Sequence, residues 1–343
     1  MWQSRVPVAE TLRGGYHSGS HPACMTLGPV NMKIRRSVFG SEGEKALYKS
    51  LVSNWSRTFS LYPSLPFASI IDDLRESDPT ESQINFLYKT SVDYTLCTKL
   101  GKPILSIEFD GLGDGFSRAS EYIMKRPFPN DPNREWKLGL KLRVCQELLY
   151  PFFVVSYEES RPLGPDLHLT IVDGIVGQVL ANREFPQLVH ELGEEYRDSI
   201  DELPPDERDE FIQDYVIIGA EVEAALKWDP IAREAAKYKG AVVRQRIAQG
   251  WSHEYLTDPA LPPLRGSFPA LDAGSVRKRI EAREMAEYVG VRVTVQMEPT
   301  PIAQTAWVRN IEGMGVSPLM LAENIAELLT FKRVVEIKRA DAP

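Results

Sequence analysis

Cysteine and histidine are scarce in this 343-residue chain, which has three cysteines, Cys24, Cys97 and Cys145, and five histidines. Three scattered thiols support neither a disulfide framework nor a four-ligand zinc site, and they fit a reducing compartment. His17, His21 and Cys24 lie near one another, but in a stretch rich in Gly, Ser and Pro that offers no fourth ligand. They read as part of a flexible N-terminal arm over residues 1–36. His168, His190 and His253 stand apart, without metal-ligand spacing or a serine elbow, and read as structural. Long apolar runs are also absent: nothing approaches the ~20 residues of a membrane span, and the opening residues lack the apolar centre of a secretory signal. A cytoplasmic protein with no membrane partner is the expectation. No P-loop is present, and GLGDG at residues 111–115 does not have the G-x-G-x-x-G spacing of a dinucleotide site.

Hydrophobic residues make up 43% of the chain and charged residues 26%, the balance of an ordinary globular protein. The net charge of -8 is unevenly placed. Residues 191–225 hold thirteen acidic and two basic side chains, a local net of -11, so the remainder sums to about +3. Between Arg118 and Arg143 there are seven Lys or Arg against three acids, a basic surface in an otherwise acidic protein.

Periodicity orders the chain. SEGEKALYKSLVSN (41–54) predicts a helix with Ser41 as N-cap, Glu44 three residues on, and Ala46, Leu47 and Leu51 as its apolar face. FSLYPSLPF is extended. SVDYTLCT (91–98) and PILSIEF (103–109) predict a β-hairpin turned by KLGK. NREWKLGLKLRVCQELLY predicts a helix with Trp136, Leu140, Val144 and Leu148 inward, and PFFVVSY (151–157) a buried strand. From LTIVDGIVGQVLA the pattern is helical, broken at DELPPDERDEF between two acidic helices; RGSFPALDAGSV reads as a linker. Beyond it, a helix (SVRKRIEAREMAEYV), a strand (VRVTVQM), an extended piece at TAWVRNI, a helix (SPLMLAENIAELLTF) and a strand (RVVEI) predict an α+β unit. The divisions expected are the arm, an α/β domain at 37–185, an acidic helical segment at 186–262 and the α+β unit at 263–343, without internal repeats.

The chemistry concentrates at ILSIEFDG. Residues two apart on a strand share a face, so Glu108 and Asp110 end the strand together, beside Asp93 on its hairpin partner. Three converging carboxylates, Asp93, Glu108 and Asp110, are what a Mg²⁺ or Mn²⁺ site of hard oxygen ligands needs. The plain alternative is a solvated strand end with Asp110-Gly111 as a turn.

A helix bearing Glu44, an aspartate on one strand, the ILSIEFDG strand, and a basic helix followed by PFFVVSY together resemble the PD-(D/E)XK nuclease superfamily. Within it the likeness is to the branch catalogued as domain of unknown function 2726, related to the very-short-patch-repair endonucleases. It spans about residues 41–157. The resemblance implies a restriction-endonuclease-like fold, a mixed sheet flanked by helices. It also implies metal ligation by Asp93 and Glu108, a metal-shell or orienting role for Glu44, and hydrolysis of DNA or RNA. Asp110 stands where the superfamily name places lysine, as is usual for this branch. The histidine usual a few residues downstream is missing from GLGDGFSR.

Lys137 and Lys141, four apart on one helical face, are the candidates to supply that cation, with Lys141 the better placed; otherwise they form a solvated stripe. Arg118, Arg134 and Arg143 are candidate phosphate contacts. Trp307 and Arg309 in AWVRN can stack on a base or simply pack. The acidic insert at 191–225 reads first as a solvated pair of helices; the alternatives are a cover over the basic face that mimics nucleic acid and a surface for a protein partner. The competing reading is a nuclease fold without catalysis, serving as a nucleic-acid-binding or protein-interaction scaffold.

Overall fold

A computed structural model describes residues 39–71, 80–111, 133–257, 286, 288–310 and 315–340. The N-terminal arm, the His17, His21 and Cys24 group, Arg118, the RGSFPALDAGSV linker and all but the end of the SVRKRIEAREMAEYV helix lie outside these residues. Residues from Phe39 onward form one compact unit.

The first half is built on a four-stranded sheet: β1 (Ser60–Pro66), β2 (Ser91–Cys97), β3 (Pro103–Phe109) and β4 (Phe152–Val155), hydrogen-bonded in that order. β1, β2 and β3 are antiparallel, whereas β4 runs parallel to β3, with Glu108 opposite Val154 and Phe109 opposite Val155. The expected hairpin therefore forms, and its turn uses Gly101 at φ +85°, a left-handed conformation that glycine alone adopts without strain. A parallel neighbour demands a crossover, which α3 (Arg134–Glu147) supplies.

α1 (Glu42–Trp55) covers one face of the sheet, where Leu47, Leu51 and Trp55 meet Phe153 and Val155. α2 (Glu81–Lys89), which the periodicity did not reveal, and α3 cover the other, where Leu87, Leu138 and Val144 meet Phe152 and Val154. Alternate residues of the all-apolar β4 thus enter opposite cores, as a strand covered on both faces must. α/β architecture with a mixed sheet between helices follows.

Two details of the helices differ from the periodic reading. Ala46 is exposed on α1. On α3 Trp136 is 46% exposed and lies against Phe86 of α2, while Lys141 is only 3% exposed, because this helix buries residues on several sides rather than one stripe.

β5 (Pro162–Gly164) and β6 (Leu167–Thr170) form a small hairpin that leads into α4 (Ile171–Glu195). Thr170 and Asp173 close a capping box at its start. The buried Asp173 carboxylate also accepts from Trp55 Nε1 at 2.9 Å and Asn54 Nδ2 at 3.0 Å, fastening α4 to α1. α4 passes without a break through the boundary expected at residue 186.

The acidic stretch continues as α5 (Arg197–Glu202) and α6 (Pro205–Phe211), separated at Leu203-Pro204 as expected. A π-helical turn over Ile212–Ile217 then joins α6 to α7 (Ile218–Trp228), and α8 (Pro230–Arg244) follows. Gly177 of α4 lets the α7–α8 corner approach closely, since a Cβ there would stand 2.6 Å from Asp229 Cα.

The last unit is a three-stranded antiparallel sheet of β7 (Gly250–Thr257), β8 (Tyr288–Gln296) and β9 (Ile302–Arg309), covered by α9 (Pro318–Ala340). The strands expected at VRVTVQM and TAWVRNI are β8 and β9. Tyr288 and Val289, assigned to a helix by periodicity, open β8 instead. RVVEI is not a strand: Leu321, Ile325, Leu328, Phe331 and Val335 continue one buried helical stripe through it, with no breaker between.

Candidate active site

One cavity of about 570 Å³ opens at the C-terminal end of β3, and its walls carry Glu44, Asp93, Glu108, Arg134, Lys137 and Lys141. Sequence positions nearly a hundred residues apart converge there because each element delivers one part. Ser41 caps α1 by accepting from Glu44 N at 3.1 Å. The Glu44 carboxylate does not close a capping box on Ser41 but reaches back to Gly40 N at 2.6 Å. The first turn of α1 is held to β2 by Tyr94 Oη, which donates to Glu44 O at 2.8 Å. Gly43 permits this approach: a Cβ there would meet Tyr157 Cε1 at 2.2 Å and Phe109 Cζ at 2.6 Å.

Asp93 on β2 is fixed from the other side, its Oδ2 accepting from Phe109 N at 2.8 Å. Burial, then the neighbouring charge of Glu108, push the Asp93 carboxyl up to about 7, and only the Phe109 hydrogen bond and Lys141 work against them appreciably. Lys141 on α3 donates to Glu108 Oε1 at 2.9 Å and to Ser91 O at 2.7 Å. It is therefore a buried, doubly held ammonium and not a member of a solvated stripe. Glu108 Oε2, also buried, has no hydrogen-bond partner among the described residues.

The other expectations fare differently. Asp110 does not line the cavity: it is fully buried, its amide donates to Val155 O at 2.7 Å, and its carboxylate pairs with the Arg134 guanidinium. Beyond the last residue of β3 the chain no longer alternates as a strand, so the shared face of Glu108 and Asp110 ends there. Asp93, Glu108 and Asp110 accordingly do not bring three donor atoms within 4.8 Å of one another. Arg134 reaches the cavity wall already neutralised by Asp110, and Arg143 is exposed, outside the cavity, 3.9 Å from Glu147.

His168 and His190 are exposed, and Arg309 is buried, 2.9 Å from Glu159, so it offers no face to a base. Trp307 packs over Gly290. Tyr157, which walls the cavity and meets Phe109 edge-on at 5.1 Å, was not singled out. The available signal was its place just past the end of β4, since sites gather at the carboxyl ends of parallel strands.

The donor set suits a hard divalent cation. Two carboxylates that repel one another, one of them with an unpartnered oxygen, present the ligands and the excess negative charge that Mg²⁺ or Mn²⁺ relieves; such ions complete their shell with water. A second ionisable group, His253, Glu323 and Glu327, does bring three donors within 4.8 Å. There the Lys239 ammonium stands 2.6 Å from Glu327 Oε1 and His253 Nε2 stands 3.0 Å from it, so that group carries its own cation. Among the described residues, no helix is long and apolar enough to cross a membrane. Comparison of the chain with profiles of protein families, with curated proteins and with solved structures gave no match.

Proposed function

We propose that this protein is a divalent-metal-dependent phosphodiesterase acting on DNA or RNA, with Asp93 and Glu108 as the metal-holding carboxylates. The observation that carries the reading is the meeting of Glu44, Asp93, Glu108 and Lys141, from four separate elements, on one cavity. The helix, three antiparallel strands, crossover helix and parallel strand that build the cavity agree with the nuclease superfamily that the sequence resembles.

The bound cation would supply two effects, a lowered pKa for a coordinated water and neutralisation of charge on the phosphate. The chain's own residues do the rest. Asp93, anchored by Phe109 N, orients one ligand oxygen, and Glu108 Oε2 points a second. Lys141, locked between Glu108 and Ser91 O, places a positive charge beside the metal carboxylate without needing to move during reaction. Lys137 on the same wall adds a cation toward the incoming backbone. Asp110 is excluded from the ligand set in this reading; it holds Arg134 against the wall.

Mn²⁺-dependent cleavage of labelled single- and double-stranded DNA and RNA by the purified protein tests the reading. Cleavage abolished in both Asp93→Asn and Glu108→Gln is the expected result and identifies the substrate class. No cleavage of any substrate, together with unchanged Mn²⁺ binding in the variants, sinks it in favour of a non-catalytic scaffold.

A further inference from the structure

The acidic helices have a second peculiarity that charge counting does not reveal. On α7 and the turn before it, Tyr215, Ile218, Val222 and Leu226 are 56%, 43%, 51% and 40% exposed. Ile218, Val222 and Leu226 are spaced by four, so at 3.6 residues per turn they form one outward stripe. The opposite face of the helix is already used, with Ala220 and Ala224 buried against Leu188 of α4. Soluble helices turn such stripes inward; this one turns a small-residue face inward and its large residues out.

The stripe sits among exposed carboxylates, including Glu210, Asp214, Glu221 and Glu223. Both basic residues of 191–225 are engaged elsewhere: Arg197 pairs with Glu194, and Arg208 donates to Leu203 O and Asp201 O. Lys227, just beyond, pairs with Glu184. Lys227 also acts on Glu191 and Glu223, but thirteen acids against these three cations leave the stretch strongly negative, which repels nucleic acid, anionic membrane and a second copy of the same face.

Beside the stripe, Glu221 and Ala225 of α7 wall a cavity of about 290 Å³ with Gln178 and Phe185 of α4, Asp229, and Met320 of α9. Gln178 is 4% exposed, and its Oε1 accepts from Ser317 N at 2.9 Å, which fixes the orientation of the amide. Its Nε2 is thereby left as a buried donor with no partner among the described residues. Buried donors in native proteins are ordinarily satisfied.

We infer that the outer face of α7 docks a basic amphipathic helix of a protein partner. The partner lays its apolar side along Ile218, Val222 and Leu226 and sets Lys and Arg against the acidic rim. It inserts one side chain, ending in an oxygen, toward Gln178 Nε2. Apolar stripe and charge sign select the same occupant, the buried donor offers it an anchoring point, and helix-in-groove recognition reads anchors at this spacing. The inference goes beyond the nuclease reading and does not depend on it.

The test is fluorescence anisotropy of the full chain with a labelled peptide of about 20 residues, long enough to form a helix, in which Leu and Lys alternate with helical periodicity. A matched Leu/Glu peptide is the control. The expected result is binding of the Lys peptide alone, weakened about tenfold or more by I218S/V222S/L226S. The charge reversal E221K/E223K leaves the stripe intact, so it reports even if the serine variant does not fold; it is expected to weaken binding at low salt and lose that effect near 0.5 M salt, where charges are screened within about 4–5 Å. Equal binding of both peptides, or wild-type affinity in E221K/E223K at low salt, overturns the inference. So does a dimer in sedimentation that the serine variant dissolves, because the face would then belong to a second copy.

Discussion

Asp93 and Glu327 are both shielded carboxylates, each beside a second glutamate and near a lysine, yet they titrate in opposite directions. Asp93 is pushed up to about 7 by burial and by Glu108, whereas Glu327, although burial acts to raise it, is held below the usual carboxylate range by His253 and Lys239. Asp93 is the more deeply buried and has no cationic hydrogen-bond partner among the described residues, whereas Glu327 is bonded by His253 and then by Lys239. Lys239 reaches Glu327 itself at 2.6 Å and lies over the Trp251 and Phe331 rings. Lys141 is spent on Glu108, which leaves Asp93 facing two acids. One cluster meets its cations within the fold; in the other, Asp93 has no cation bonded to it among the described residues. An uncompensated cluster in a cavity points to function more strongly than a compensated one on a sheet.

Substitutions separate the two clusters, and the largest effect is expected at the site. Asp93→Asn should lower Mn²⁺-dependent cleavage by about 100-fold or more and abolish Mn²⁺ uptake by calorimetry, while Glu327→Gln leaves both unchanged. Mn²⁺ uptake at the His253 cluster that survives Asp93→Asn and disappears in Glu327→Gln would reverse the assignment of the two clusters.

Stability should respond in the opposite sense. Glu327→Gln strands Lys239 in a partly buried pair and should cost about 1–3 kcal/mol in denaturant melts. Asp93→Asn should instead stabilise the metal-free protein at pH 8 by about 1–2 kcal/mol, because it removes a buried charge facing Glu108. Adding Mn²⁺ at 100 times its Kd should then raise the wild type by about 2.7 kcal/mol and the variant not at all.

The pH profiles should diverge as well. Unfolded aspartate titrates near 3.9, and folded Asp93 at about 7, so across that window the folded chain holds the extra proton. Its contribution to stability is present below about pH 4 and is lost as pH rises toward 7. Glu327 acts with the other sign: its contribution is present above the unfolded value near 4.3 and is lost as pH falls through the lower folded one. Thermal melts of Asp93→Asn and Glu327→Gln between pH 2 and 8 check both slopes, Glu327 below about pH 4 and Asp93 between about 4 and 7; parallel profiles would remove the contrast. The smallest effect is expected from Lys137→Ala, about tenfold or less in cleavage, against a larger loss for Lys141→Ala.

Much of the site was legible because strand alternation and helical spacing are local. Asp93, Glu108 and Lys141 could each be placed on an element, and the elements formed. Asp110 misled because two-residue periodicity holds only while the strand lasts, and β3 ends at Phe109. RVVEI misled because β-branched residues fit a helix as readily once a continuous buried stripe passes through them.

Sequence alone determined the elements that carry the chemistry, the placement of the acidic and basic stretches, and the carboxylates at the end of ILSIEF, since these depend on neighbours a few residues away. Tertiary structure decided which cation each carboxylate meets: Lys141 with Glu108, Arg134 with Asp110, Lys239 with Glu327. Such pairings join residues 24, 33 and 88 positions apart. Packing of whole elements sets those distances, and at a few ångströms Coulomb energy changes steeply with separation, so the interaction each carboxylate feels is decided by the fold and not by its sequence neighbours.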